Sequence, residues 1–409
     1  MPKMKPTEKT KKNSSKVSSR LSLGERVPKL RFPGFEGEWK KRDLKDCLSV
    51  CCKRNKQRFT KDEVLSVSGE YGIVNQIEFQ GRSFAGESIS NYKVVLPGLI
   101  VYTKSPLREA PYGIVKASRI ATGIVSPLYG VYIANEGIEP CFIESYFANA
   151  LRRNRYFKPL VNLGPKHTMC ISDDGALGGT IVLPEKEEQS KICDLLATLN
   201  SRIAAQRKLV ELLKKHKRGL LREVFEENID GKSCSFSEIA CRRNEKISPT
   251  KNSNLDCIEL EHIEPETGMC LGSVPLRIQN SLKNLCKPND IIFGKLRPYL
   301  RKFLFSESEY AVSSETWILT ASDGIYPKFL FYIIQSEPFM RAANVSSGTK
   351  MPRSEWSNVA NAKFYIPNAK KQKSIAYCFS LIDVHLQKNQ KSLSAMEALK
   401  RGLLQHMFV

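Results

Sequence analysis

Apolar side chains recur at alternating steps of four and three residues in two stretches of the chain. Both stretches predict a long helix with one apolar seam. The first seam reads Ile192, Leu196, Leu199, Ile203, Gln206, Val210, Leu213, Lys217, Leu220 and Val224, and the second reads Ile375, Phe379, Ile382, Leu386, Asn389, Leu393, Met396, Lys400, Leu403 and Met407. Eight of the ten positions are apolar in each, and both polar interruptions fall at equivalent places, which is the pattern of a coiled coil with register-setting polar sites.

The two stretches are copies of one segment. Residues 184–225 and 367–408 align without a gap at a constant offset of 183: Pro184, Gln189 and Ile192 fall on Pro367, Gln372 and Ile375, KRGLL recurs at 217–221 and 400–404, and Phe225 meets Phe408. Each copy starts after a proline, a common first residue of a helix. Two helices with the same seam most simply pack on each other. An antiparallel arrangement suits the intervening segment, 226–366, because the second helix then starts where the first ends. About 40 helical residues make a spacer on the order of 60 Å.

Between the helices the pattern changes. Residues 94–102 (VVLPGLIVY) and 285–293 (LCKPNDIIF) each read as a turn running into a buried strand, with Pro97 matching Pro288 and Lys104 matching Lys295 at an offset of 191. Away from these landmarks the two segments diverge. The expected fold is mixed α/β (α+β): two recognition domains, 27–183 and 226–366, joined by two long helices, 184–225 and 367–409, that form an antiparallel coiled coil, with a structureless basic tail over 1–26.

Charge narrows the partner. The chain carries 64 Lys and Arg against 42 Asp and Glu, a formal net charge of +22, which favours a polyanion. Residues 27–183 hold 22 basic and 15 acidic side chains, whereas 226–366 hold 17 of each, so the second domain needs local clusters to grip DNA. The segment 295–302 (KLRPYLRK) supplies Lys295, Arg297, Tyr299, Arg301 and Lys302, followed by Thr349, Lys350 and Arg353. In the first domain the candidates are Lys104, Arg108, Lys116, Arg119 and the run Arg152, Arg153, Arg155. Such side chains suit phosphate contacts, and arginine can also read base edges.

Other chemistry finds little footing. The twelve cysteines form no CxxC pair and no zinc-like spacing, and they read as reduced thiols in a cytoplasm. The longest apolar run, 94–102, is broken by Pro97 and Gly98 and is far too short to span a bilayer. There is no Asn/Asp-Pro-Pro-aromatic motif for holding a target amine, no GxGxxG before a helix and no phosphate-binding GxxxxGK[ST] loop. Acidic-x-Lys triplets such as Glu38 to Lys40 lack a further carboxylate for a metal. The residues thus favour a DNA-binding adaptor without an active site or bound metal. The alternatives are a general nucleic-acid-binding coiled-coil protein and a standalone DNA methyltransferase or nuclease.

Residues 28–39 (PKLRFPGFEGEW), the segment from LPEKEEQSKI at 183–192 to KRGLL at 217–221, and its counterpart from Ile366 to Phe408 resemble, as an ordered set, type I restriction-modification specificity subunits. The similarity of organisation covers roughly residues 27–409. It implies two target-recognition domains that each read half of an asymmetric, split double-stranded DNA site, with outward faces of the helices docking two methyltransferase subunits and with restriction subunits joining for cleavage. It further implies that S-adenosylmethionine, ATP and Mg2+ are bound by those partners and not by this chain. One departure stands out: NAKK at 368–371 replaces the acidic EKEE of 185–188.

Overall fold

The computed structural model describes residues 26–107, 110–163, 169–227, 231–250, 252–345 and 351–409. The expected basic tail lies outside them apart from Arg26. The chain divides into two compact units, one of residues 1–198 with 399–409, the other of residues 199–398. Both long helices, Lys186–Arg222 and Ala369–His406, run from one unit into the other.

In the first unit, strand Lys40–Asp43 pairs antiparallel with Thr180–Leu183, so the two ends of the domain are zipped together just before the first long helix. A single helical turn, Leu44–Cys47, then feeds Leu48–Val50 into a four-stranded sheet. Its order is Leu48–Val50, Gly130–Ala134, Leu99–Tyr102, Val115–Ala117. Helices Pro140–Ala148 and Ala150–Phe157 share a core with this sheet through Phe142, Phe147, Phe157 and Tyr102.

The second unit repeats the plan. Lys232–Ser235 pairs with Lys363–Ile366, the turn Phe236–Ile239 follows, and the sheet order is Ala240–Arg243, Thr316–Ala321, Ile291–Gly294, Phe303–Phe305. Helices Pro327–Ile333 and Glu337–Ala343 take the places of the earlier pair. The predicted turns into the central strand have one geometry: Leu99 N donates to Leu96 O and Asp290 N to Lys287 O, with Gly98 at φ 87° and Asn289 at φ 70°. A left-handed residue at the third position of the turn, directly after the proline, is what such a turn requires, and Gly and Asn tolerate it best. The units differ in their outer strands: the second has a five-stranded sheet where the first has two-stranded pairs.

The helices pair antiparallel in each unit. In the first unit Ile192 and Leu196 share a core with Leu403, Leu404, Met407 and Phe408; in the second, Leu221 and Phe225 share one with Ile375, Ala376 and Phe379. Every seam position named above is buried or half-buried. The polar interruptions find partners, because Gln206 Nε2 donates to Asn389 Oδ1 at 2.8 Å. These two residues occupy the same place in the repeat, so the helices cross like to like there.

One expectation changes. Cys141 and Cys193, 52 residues apart, form a disulfide that ties helix Pro140–Ala148 to the first long helix, so not every thiol is free. The fold brings their Cα atoms to 5.9 Å, within the reach of such a bond, which spacing along the chain could not indicate. The acidic stretch at 185–188 serves the first unit internally: Arg31 forks onto Glu188, with both bonds at 2.8 Å, and Lys40 pairs with Glu185. In the second copy Asn368 instead caps its helix by accepting from Lys371 N at 3.0 Å.

Candidate nucleic-acid interface

In the second unit the cationic segment 295–302 folds as a strained loop. Arg297 and Arg301, both at φ 51°, flank the short turn Pro298–Leu300. Left-handed arginines cost about 1 kcal/mol or more each, and such strain concentrates in functional loops. The surrounding chain holds the loop in place. Arg297 N donates to Pro352 O at 2.8 Å, Ser354 N to Lys295 O at 2.9 Å, and Glu266 N to Arg301 O at 2.9 Å. Residues 352–354 therefore lie against the loop, and the fold brings Arg353 beside 295–302 as one surface.

The side chains divide by role. Arg301 donates to Glu337 and Lys302 to Leu260 O, so both brace the loop. Arg353 forks onto Glu315 at 2.9 and 3.2 Å and holds that carboxyl below its ordinary range. Lys295 is half-buried. Arg297 is exposed and has no ion pair among the described residues, and Tyr299 stands out beside it at 56% exposure. An unpaired guanidinium next to an exposed ring on a braced loop is suited to groove or phosphate contact. Thr349 and Lys350 lie outside the described residues.

The first unit places its candidates differently. Arg119 and Arg155 are exposed, and Arg108 lies outside the described residues. Arg152 and Arg153, expected at the DNA surface, are turned inward. Arg152 donates to Tyr146 O at 3.1 Å and to Leu404 O at 2.8 Å, with its guanidinium over the rings of Tyr146 and Phe408, so it caps one carbonyl at the end of helix Pro140–Ala148 and one at the end of the second long helix. Burial pulls its pKa down to about 10, which still leaves it charged at neutral pH. Arg153 is 7% exposed. Helical periodicity accounts for the difference: residue 153 shares the inner face with Tyr156 and Phe157, whereas 155 points away.

Lys116 pairs with Glu144 at 3.2 Å, while Lys104 and the buried Lys93 share the carboxylate of Asp173. Burial pushes the Asp173 carboxyl up, but hydrogen bonds from Lys104 and Lys93 outweigh it and the net pKa falls below the ordinary value of 3.8. A carboxyl with a depressed folded pKa stabilises the fold above its unfolded pKa and loses that contribution as pH falls through the folded value. Asp173→Asn is therefore expected to lower the stability of the first unit by about 2 kcal/mol at neutral pH. The gap from the parent should narrow as pH drops below about 4. Urea unfolding of both proteins across that range checks it, and a gap unchanged at low pH would exclude the ionic origin.

One cationic surface lay outside the sequence candidates. Residues 53–58 (KRNKQR) form an exposed turn whose four basic side chains have no acidic partner among the described residues. Its signal, four cations in six residues without an acid, was present in composition alone. Among the described residues no group of three or more His, Cys, Asp or Glu side chains could hold a metal, and no helix is long and apolar enough to cross a membrane.

The chain is similar in sequence to type I restriction enzyme specificity subunits. It is 23% identical over 257 residues to the MjaVIII specificity subunit of Methanocaldococcus jannaschii, covering 55% of this chain and 60% of the relative. It is 26% identical over 135 residues to the HindI specificity subunit of Haemophilus influenzae, covering 31% and 29%. The chain thus spans less than two thirds of the length of these curated relatives. Its fold matches the crystal structure of the type I restriction-modification S subunit from M. genitalium, with a TM-score of 0.59 and 13% identity over 94% of this chain and 99% of that one. No family model matches the chain.

Proposed function

We propose that the chain is the DNA sequence-specificity subunit of a type I restriction-modification complex. Each unit reads one half of an asymmetric bipartite site in double-stranded DNA, and the chain directs adenine methylation and ATP-dependent cleavage by partner subunits. The observation that carries this reading is a repeat of architecture without a repeat of surface. Both units order the strands of their four-stranded sheet alike, yet one presents Arg297 and Tyr299 on a braced loop and the other presents a basic turn at 53–58. Equal scaffolds with unlike contact surfaces suit two unlike half-sites, because phosphate contacts position a protein while differing base contacts specify sequence.

On this reading the chain performs no chemistry itself. Two methyltransferase subunits, which bind S-adenosylmethionine, and restriction subunits, which use ATP and Mg2+, supply it, and the complex works in the cytoplasm. Co-expression with the neighbouring methyltransferase subunit, followed by genome-wide mapping of methylated adenines, tests the proposal. Methylation confined to one split motif, and only when this chain is present, is the expected result. Methylation unaffected by the chain, in a folded complex, would overturn it.

A further inference from the structure

We propose that residues 53–58 are a preformed phosphate clamp that seats the first unit on duplex DNA, a contact that the second unit lacks at the equivalent place. The proposal rests on the DNA-reading role given above and assigns part of that role to residues not marked by any motif.

The turn is built to hold its shape. Lys56 at φ 39° and Gln57 at φ 65° are consecutive left-handed residues, a conformation that non-glycine residues rarely adopt without support. The support is Asn55, 1% exposed. Its Nδ2 donates to Phe59 O at 3.0 Å and to Ile89 O at 3.3 Å, and its Oδ1 accepts from Phe59 N at 2.8 Å. Its backbone N donates to Tyr92 O at 2.9 Å, and its carbonyl accepts from Arg58 N at 2.8 Å. At the base of the turn Val94 N donates to Lys53 O, and Arg54 Nη1 donates to Asn91 O. A loop fixed in this way needs little further ordering when a ligand arrives.

The charge on it is unspent. Lys53, Arg54, Lys56 and Arg58 are exposed, and among the described residues none has an acidic partner; Arg58 only rests over the ring of Phe59. Four like charges on six residues repel one another, and no carboxylate among the described residues offsets them. The second unit shows the alternative. After the matching strand Ala240–Arg243, Arg243 forks onto Asp290 at 2.7 and 3.1 Å and also pairs with Glu245, Lys287 pairs with Glu245, and Lys246 donates to Asn284. There Arg243 and Lys287 are offset by carboxylates, whereas the four cations of 53–58 are left open. A regular row of phosphates is the ligand that compensates clustered cations whatever the base sequence.

The test compares the full chain with the variant Lys53→Gln/Lys56→Gln/Arg58→Gln, which keeps Asn55 and Arg54. Both are titrated with a duplex carrying the mapped site and with a scrambled duplex, over a range of salt. Each phosphate contact contributes about 0.9 to the slope of log affinity against log salt. The variant should therefore show a slope shallower by about 2 to 3, with affinity weakened about 10- to 100-fold on both duplexes alike. An unchanged slope and affinity, in a parent that binds, overturns the clamp and leaves the DNA-reading role intact. Loss confined to the mapped site with an unchanged slope makes the turn a base reader and equally overturns it. A parent without DNA affinity removes the ligand, and the DNA-reading role falls first.

Discussion

Replacing Lys217 with methionine is expected to lower the stability of the second unit by about 3 to 5 kcal/mol. Lys217 belongs to the repeated KRGLL segment and occupies the seam at 3% exposure. Its Nζ sits 2.5 Å from Asp383 Oδ1 as an ion pair, and the Tyr332 hydroxyl donates to Asp383 Oδ2 at 2.8 Å. Burial drives the lysine's pKa down, and only the carboxylate beside it opposes that shift. Removing the lysine leaves a buried carboxylate with only the Tyr332 hydroxyl to offset it, which is the costly way to break a buried pair. Removing both charges is different. In Lys217→Met/Asp383→Asn the amide oxygen still accepts from Tyr332, so the double variant should lie within about 1 kcal/mol of the parent. Urea unfolding of the three proteins measures it. A double variant as unstable as the single one would mean that the charges matter as a pair for stability, contrary to this account.

The seam illustrates what could be read from the chain and what could not. Its apolar positions and polar interruptions are local and periodic, so helix extent and the repeat were visible in the sequence. The meeting of Gln206 with Asn389 follows from the same register, since the equivalent residues of two antiparallel copies coincide where the copies cross. The likeness of the two sheets was nearly invisible. Their strands are three to six residues long and pair with partners far along the chain, as in Leu48–Val50 with Gly130–Ala134. Only the turn at Pro97 and Pro288 survives as a common mark, because its backbone geometry restricts the residues allowed there. Whether a cation is free is also non-local. Lys104 and Lys93 are held by Asp173, and Arg152 by a carbonyl of the distant Leu404. Basic content alone therefore overstated the surface at 152–153, where the 3.6-residue period should have separated Arg153 from Arg155. At 53–58 the charge was legible, but the buried Asn55 that makes it a fixed turn was not.

Gln372→Leu should cost the second unit about 3 kcal/mol, and Gln189→Leu should do the same to the first. These two residues are an identity of the repeat, and each is buried, at 2% and 1% exposure. Gln372 Nε2 donates to Pro367 O at 3.0 Å and to Gly324 O at 3.2 Å, while its Oε1 accepts from Tyr326 N at 2.9 Å. Gln189 makes the same three bonds: to Pro184 O at 2.9 Å, to Gly137 O at 3.2 Å, and from Glu139 N at 3.0 Å. In both units one amide therefore ties the start of a long helix to the loop that opens Pro140–Ala148 or Pro327–Ile333. Leucine fits the space but leaves a backbone N–H and two carbonyls buried without partners, which is where the cost arises. Glutamate should be at least as damaging as leucine, because it keeps the acceptor for the backbone N–H but turns a carboxylate oxygen toward two carbonyls. Since each amide acts inside one unit, hydrogen exchange should separate the variants: Gln372→Leu exposes 327–333 and spares 140–148, and Gln189→Leu does the reverse. Equal loss of protection in both units from either variant would mean that the amides hold the chain together as a whole and do not clamp each domain to its own helix.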